Sequence, residues 1–353
     1  MFKKYFDRIF IDGLSGMALG LFATLIVGTI IQQTGLLLGG RIGELIYIVG
    51  KIAAAATCAG IGVGVAYKFK ESPLVIFSAA TCGIIGGYAS KILAGTVLQD
   101  GVIMLAGPGE PLGAFIAAYA GIEVGRLVAG KTKVDIIVTP VVTIAVGSLA
   151  GLLLGPFISG FMTWLGSLIN WGTEQQPFLM GIIVSVLMGM FLTLPISSAA
   201  IGIILNLSGL AAGAATVGCC CNMVGFAVAS YKENGVGGLL AQGVGTSMLQ
   251  MPNIVRKPVI WVPAIVSSAI LGPVSTMVLH MTNNATGSGM GSAGFVGQIM
   301  TFQTMLQNET ALIVMIKILL IQFILPAVLT FVVAKAMRKA EIIKFGDMKL
   351  EYN

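Results

Sequence analysis

Two glycine-rich breaks in an otherwise apolar chain carry the groups best able to do chemistry. In "QDGVIMLAGPGEPLG", residues 99–113, the carboxylate of Glu110 stands among Gly107, Gly109 and Pro111. A carboxylate in that setting can accept hydrogen bonds from the hydroxyls of a polyol or take up a proton. In "HMTNNATGSGMGSAGFVGQ", residues 280–298, the only histidine of the chain, His280, stands beside Asn283 and Asn284. Uncharged donors and acceptors of this kind suit sugar hydroxyls, and glycine lets backbone approach a ligand closely. Glu110, Gly107, Gly109, His280, Asn283 and Asn284 are therefore the candidate substrate-binding residues. A plain solvated loop would account for either stretch without any ligand, and that reading stays open.

Other chemistries find less support. With one histidine, no thiol in a polar loop and no paired acids, neither a nucleophile–base pair nor a zinc site can be assembled, so no catalytic, cofactor or metal residues are expected. Cys58, Cys82, Cys219, Cys220 and Cys221 all fall in apolar segments and read as small packing residues. "GRLVAGKT", Gly125 to Thr132, has Walker A spacing, but that mechanism needs a preceding strand and a following helix. Here the match lies at the end of an apolar run. Gln99, Asp100, Ser197, Ser198, Asn206, Asn222, Gln242, Gln250 and Asn253 also interrupt apolar runs. Such residues read first as helix–helix hydrogen-bonding groups and second as cavity lining.

The elements that must position these groups follow from composition. Of 353 residues, 56% are hydrophobic and 10% charged, against about 25% charged in soluble domains, so the surface must face lipid. The net charge of +6 sits in short joints and at the ends rather than in a basic stripe, which excludes a nucleic-acid surface. A spanning helix needs about 20 apolar residues. Ten such runs are expected near 12–34, 46–66, 73–97, 113–129, 134–157, 177–197, 207–229, 235–251, 258–280 and 310–334. The basic N-terminal segment leads into a run too long for a signal peptide, so it reads as a retained first helix. Lys3, Lys4 and Arg8 hold its start inside.

Lys68 and Lys70, Arg126, Lys131 and Lys133, Arg256 and Lys257, and Lys335, Arg338 and Lys339 then fall on one side, with both termini cytoplasmic in a bacterial inner membrane. Arg41, Lys51 and Lys232 fit that pattern less well.

The fold class expected is an all-α polytopic membrane protein in one domain, 1–353, with re-entrant loops at the two breaks. Within it a first half, 1–157, a linker, 158–176, a second half, 177–334, and a tail, 335–353, are distinguished. The linker carries Trp164 and Trp171 and reads either as an interfacial helix or as an extension of the preceding span. "ALGLFATLIV" at 18–27 aligns with "LMGMFLTLPI" at 187–196, sharing Gly20/Gly189, Phe22/Phe191, Thr24/Thr193 and Leu25/Leu194. With five spans per half, this suggests an inverted repeat, the plan of many transporters.

The Gly-Pro-Gly-Glu-Pro segment at 107–111, the "TPVVTIAVGSLAGLLLGP" span at 139–156 and the "TGSGMGSAGFVGQ" loop at 286–298 together resemble the membrane EIIC component of the bacterial phosphotransferase system (PTS). The likeness is to the free-standing branch that includes the perfringolysin O regulator. The resemblance implies a permease for a sugar or related small hydrophilic solute, alternating access, a homodimer, and phosphorylation by IIA and IIB partners. It carries sugar binding to Glu110 and, less directly, to His280. With no IIA- or IIB-like segment in the 353 residues, a separate IIB is expected, or else a ligand sensor that regulates gene expression without net transport. The basic tail reads as an anchor on the cytoplasmic face, and in a sensor as a contact surface.

Overall fold

Glycine sets the architecture before hydropathy does. Helix α1 (Arg8–Leu36) turns at Gly39 and Gly40, both at positive φ, into α2 (Gly40–Ala55), which bends by 51° into α3 (Thr57–Lys68). Gly16, Gly20, Gly28 and Gly35 of α1 face Gly64, Gly60, Gly50 and Gly43, so the two arms meet backbone to backbone. A Cβ at any of the four α1 positions would collide with main-chain atoms opposite. Small residues allow such close approach in membranes, where van der Waals packing replaces the hydrophobic effect between helices.

The structure is a computed structural model and describes residues 8–350, apart from Ala106, Pro108, Glu174, Ser197 and Asn206. Lys3 and Lys4, and the cavity-lining candidates Ser197 and Asn206, lie outside the described residues. The chain divides into two compact units, Met1–Met162 and Thr163–Asn353.

The first unit continues with α4 (Pro73–Gly87), the short α5 (Ala89–Leu93) and a hairpin of β1 (Leu98–Gln99) and β2 (Val102–Ile103). The hairpin turn is Asp100-Gly101, both residues at positive φ, as a two-residue type I′ turn requires. Helix α6 (Pro111–Val128) and the start of α7 (Asp135–Thr173) complete the unit. At its polar end Arg8 bridges Glu71 at 2.8 Å and Glu123 at 2.6 Å, while Arg126 pairs with Glu123 at 2.5 Å. Arg8 also lies 4.0 Å over the Phe69 ring. Its charge thus ties the start of α1 to the loop after α3 and to α6. The Walker-like stretch begins inside α6 at Gly125 and runs past its C-terminal end. That is a helix terminus, not a strand–loop–helix.

In the second unit α8 (Pro177–Thr193), α9 (Ser198–Ile204) and α10 (Gly209–Ala229) are followed by a broken stretch. There α11 (Tyr231–Leu240), kinked at Gly235, leads through a widened turn and an extended Thr246 to α12 (Met251–Arg256). Helix α13 (Pro258–Val278), the short α14 (Ala285–Ser288), α15 (Val296–Met305) and α16 (Ala311–Lys339) follow. Helix α10 is the axis of this unit. Cys219, Cys220 and Cys221 on it are fully buried, and α8, α13, α14 and α16 pack against it.

Among the described residues six helices are long and apolar enough to span, or seven if α2 and α3 count as one bent span. Helices α4 and α8 are shorter apolar helices. The all-α polytopic class holds, while ten straight spans are not found. The run at 235–251 is apolar yet broken, because Gly235 takes φ 60° and Thr246 is extended, and 73–97 is cut after Gly87. Residues 158–173 continue α7, a helix of 39 residues and so about 58 Å long, nearly twice a hydrocarbon core of about 30 Å.

The tail is built into the unit rather than left in solvent. Ile343, Met348 and Leu350 are buried, the first two in one core cluster with Phe226, Ile254, Ile260 and Trp261. The Asn234 carboxamide grips the strap in both directions, donating to the Met348 carbonyl at 2.9 Å and accepting the Leu350 N–H at 2.8 Å. Gln250 donates to the same Met348 carbonyl and Asn253 to the Lys349 carbonyl, each at 2.9 Å. Lys257–Asp347 (2.5 Å) and Arg338–Glu233 (3.0 Å) close the flanks. Burial alone would raise the Asp347 carboxyl, but the Lys257 ammonium, the Lys344 N–H and the charge of Arg338 hold it below the usual aspartate value.

Candidate functional site

Glu110 is held from both sides of its own peptide. Its N–H donates to the carbonyl of Gly87, the last residue of α4, at 2.8 Å, and its carbonyl accepts the Ala114 N–H at 3.0 Å. Pro111 occupies the first turn of α6, where its missing N–H leaves nothing unsatisfied, and Glu110 is the N-cap. The cap is loose: Oε1 accepts from the Leu112 N–H at 3.5 Å. Among the described residues that N–H is the carboxylate's hydrogen-bond partner, which leaves most of its lone pairs for a ligand.

The loop that presents Glu110 needs its glycines. Gly107 and Gly109 take φ 80° and 74°, where any side chain is strained. A Cβ on Gly109 would strike the Cys58 sulfur and lie 3.1 Å from the Tyr88 ring. The Tyr88 hydroxyl donates to the Gly107 carbonyl, although the Tyr88 side chain is otherwise fully buried. The Cys58 thiol fills the notch between Gly87 and Gly109. Gly107, Gly109 and Glu110 therefore form one cradle, braced by Gly87, Tyr88 and Cys58. The sequence offered no motif for Tyr88 or Cys58. A buried tyrosine one residue past an apolar helix is the signal that could have found the brace, since its hydroxyl must meet an acceptor.

The second candidate stretch folds into its own unit. His280 is exposed at φ 47°. Asn283 is buried and fully engaged, donating to Thr216 Oγ1 at 2.7 Å, Thr301 Oγ1 at 3.0 Å and the Gly297 carbonyl at 3.1 Å. Its Oδ1 accepts the Asn284 N–H at 2.8 Å. The Asn284 Oδ1 caps α14 through the Gly287 N–H at 3.0 Å. The glycines of this stretch bring its backbone against protein: Gly291 lies on Cys219 of α10, and Gly289 on the Ser198 carbonyl. The structure thus brings Asn283 and Asn284 together, with His280 three residues away at the surface, while the Glu110 cradle belongs to the first unit.

Two polar groups here escaped notice in the sequence. Gln298 donates to the Cys220 sulfur at 3.4 Å, and Gln322 to Thr301 Oγ1 at 3.0 Å, yet the carbonyl oxygen of each is buried without a donor among the described residues. Asn222, Gln242, Gln250 and Asn253 do act as hydrogen-bonding groups between elements. The Asn222 Oδ1 accepts from Trp261 Nε1 at 2.8 Å and from Thr193 Oγ1 at 3.2 Å, and Thr193 meets Ser247 at 2.7 Å. Gln242, Gln250 and Asn253 form a relay of amides, linked at 2.8 Å and 2.9 Å, that ends on the strap.

This geometry presents a half-buried carboxylate on a glycine loop, with one long hydrogen bond from the Leu112 N–H among the described residues. Residues 11–350 match the family model described as "Phosphotransferase system, EIIC". No curated protein matches the chain.

Proposed function

The chain belongs to the family of the phosphotransferase system EIIC components, and we propose that this multi-pass membrane protein carries a sugar-class solute by alternating access, the solute being phosphorylated by a IIB partner that is fed through IIA. Membership carries the membrane setting and the sugar-permease role. Glu110 is the residue proposed to hold the sugar, and the observation behind it is the cradle. Its carboxylate is rigidly placed, half-buried and loosely bonded, so a pair of sugar hydroxyls can replace the 3.5 Å contact from Leu112. Gly107 and Gly109 let the sugar approach the backbone. Within the second unit, taken by itself, His280 and Asn284 are proposed as solute-binding residues, with Asn283 as the residue that shapes their loop.

An inverted repeat is proposed for the two units, and parallel detail supports it. Gly20 meets Gly60 and Gly189 meets Gly218 across helix contacts. One turn on, Thr24 and Thr193 each donate back to the carbonyl of that glycine, at 2.7 Å and 3.2 Å. A homodimer in a bacterial inner membrane, with both termini cytoplasmic, completes the proposal.

The test is a thermal-shift screen of the detergent-purified protein against hexoses, pentoses, hexitols, ascorbate and their phosphates. A ligand present at 100 times its Kd stabilises by about 2.7 kcal/mol, enough to read. Stabilisation by one class that disappears in Glu110→Gln supports the site, and flux in proteoliposomes with that ligand separates a permease from a sensor. A shift that is the same in Glu110→Gln removes Glu110 from the site.

A further inference from the structure

Where α10 and α16 end side by side, the second unit holds a cavity of about 370 Å³ apart from the proposed sugar-binding residues; the strap packs against Ala229, Ala334 and Arg338 of its lining. Val228, Ala229, Leu239, Phe331 and Ala334 line it, with Tyr231 at its edge, and its wall is almost wholly apolar. The volume lies in the range of about 300–1,000 Å³ typical of small-molecule sites. Its mouth is basic: Lys232, Lys335 and Arg338 complete the lining. Arg338 is neutralised by Glu233 at 3.0 Å and also donates to the Ala229 carbonyl at 3.3 Å. Lys232 and Lys335 are exposed and have no ion pair or hydrogen bond among the described residues. Two positive charges are thus left over an apolar slot.

The place of the slot in the fold defines its occupant. Lys232 follows the end of the α10 span at Ala229 by three residues, and Lys335 lies in the last turns of the α16 span. Both ammonium groups therefore stand where apolar helices leave the bilayer. Phe331, Val328 and Val332 beside the slot are exposed and apolar, the condition of a surface covered by acyl chains. Basic clefts between spanning helices at the membrane surface attract anionic head groups, and the lysine stems reach such a head group while lying along apolar surface. A helix C-terminus by itself repels anions. The two lysines must therefore supply the attraction.

We infer that this slot binds an anionic phospholipid, one acyl chain lying in the cavity against Leu239, Phe331 and Ala334 and the phosphate held between Lys232 and Lys335. The apolar wall excludes a free sugar phosphate as the intended ligand, because such a molecule would leave the cavity unfilled and its own hydroxyls unpaired. The site is independent of Glu110 and of the sugar reading.

Native mass spectrometry of the full chain in detergent, titrated with phosphatidylglycerol or phosphatidylcholine of the same chain length, tests the assignment. Each lysine contributes about fivefold to the preference for the anionic lipid, so Lys232→Gln with Lys335→Gln lowers it about 25-fold. Leu239→Trp fills the slot with both charges intact and lowers lipid retention as well. The pair Lys339→Gln and Lys344→Gln, outside the slot, leaves it unchanged. All these variants keep the wild-type Tm without added lipid, which separates loss of the site from misfolding. The inference is overturned if the double variant keeps the preference, if Leu239→Trp has no effect, if the outside pair matters as much, or if glycerol phosphate competes as well as the whole lipid.

Discussion

Asn234→Ala should free the C-terminal strap while leaving the spans intact. The wild-type carboxamide donates to the Met348 carbonyl and accepts the Leu350 N–H. In the variant the Met348 carbonyl still has Gln250, so the loss there is a net bond of about 0.5–1.5 kcal/mol. The Leu350 N–H is left without its partner, at about 1–3 kcal/mol if it stays buried and less where water reaches it. About 2 kcal/mol overall is a reasonable sum, and it raises the open population of the strap about 30-fold. Trypsin reads that population at Lys344 and Lys349, because cleavage follows the open fraction when reclosing outpaces cutting. The expected result is loss of the last residues at a rate raised about 30-fold, with the rest of the chain cut no faster. Gln250→Ala moves the same way. Cleavage within twofold of wild type in both variants would refute the reasoning, since the strap would then be held by burial of Ile343, Met348 and Leu350 alone.

Three further outcomes are expected. Gly109→Ala forces a side chain into φ 74° and against Cys58 and Tyr88, which costs about 1–3 kcal/mol in Tm measurements and abolishes the ligand-induced shift of the Glu110 cradle. Asn222→Ala strands the Trp261 Nε1–H, destabilising by about 1–3 kcal/mol, and Trp261→Phe placed on top recovers part of that loss, a sign that a double-mutant cycle reads directly. The Asp347 carboxyl is held below its usual value, so its contribution is complete above the unfolded pKa of about 3.9 and disappears as pH falls through the lowered folded one. Strap proteolysis by an acid-active protease should therefore accelerate below about pH 4 in wild type and much less in Asp347→Asn.

Much of this was legible in the sequence because lipid exposure and glycine punctuation are local properties. The apolar runs at 113–129, 207–229, 258–280 and 310–334 correspond to α6, α10, α13 and α16, and the Gly/Pro setting of Glu110 marked a break before α6. The run at 235–251 misled because hydropathy weighs side chains and is blind to backbone: Gly235 and Thr246 break a stretch as apolar as its neighbours. The tail hid its packing for the opposite reason. Its lysines read as an anchor on the cytoplasmic face, and nothing local shows that Ile343, Met348 and Leu350 among them are buried by side chains about 100 residues earlier. The Tyr88 hydroxyl called for an acceptor, but which one it meets, and the bracing role of Cys58, depend on where α3 and α4 pass.

The contact of α1 with α2 and α3 has a consequence for how substitutions in this protein are judged. Alanine in place of Gly16, Gly20, Gly28 or Gly35 improves every property usually scored: it is more hydrophobic, and it favours a helix by about 1 kcal/mol. Each is nonetheless a lesion, because the added methyl lands on the main chain of the opposite arm, which has no rotamer to change. The arms must part, and a gap opens along their whole seam. A variant that looks conservative by chemistry and favourable by propensity is, at these four positions, among the most damaging the first unit can receive. Specificity there is written in the atoms that are missing.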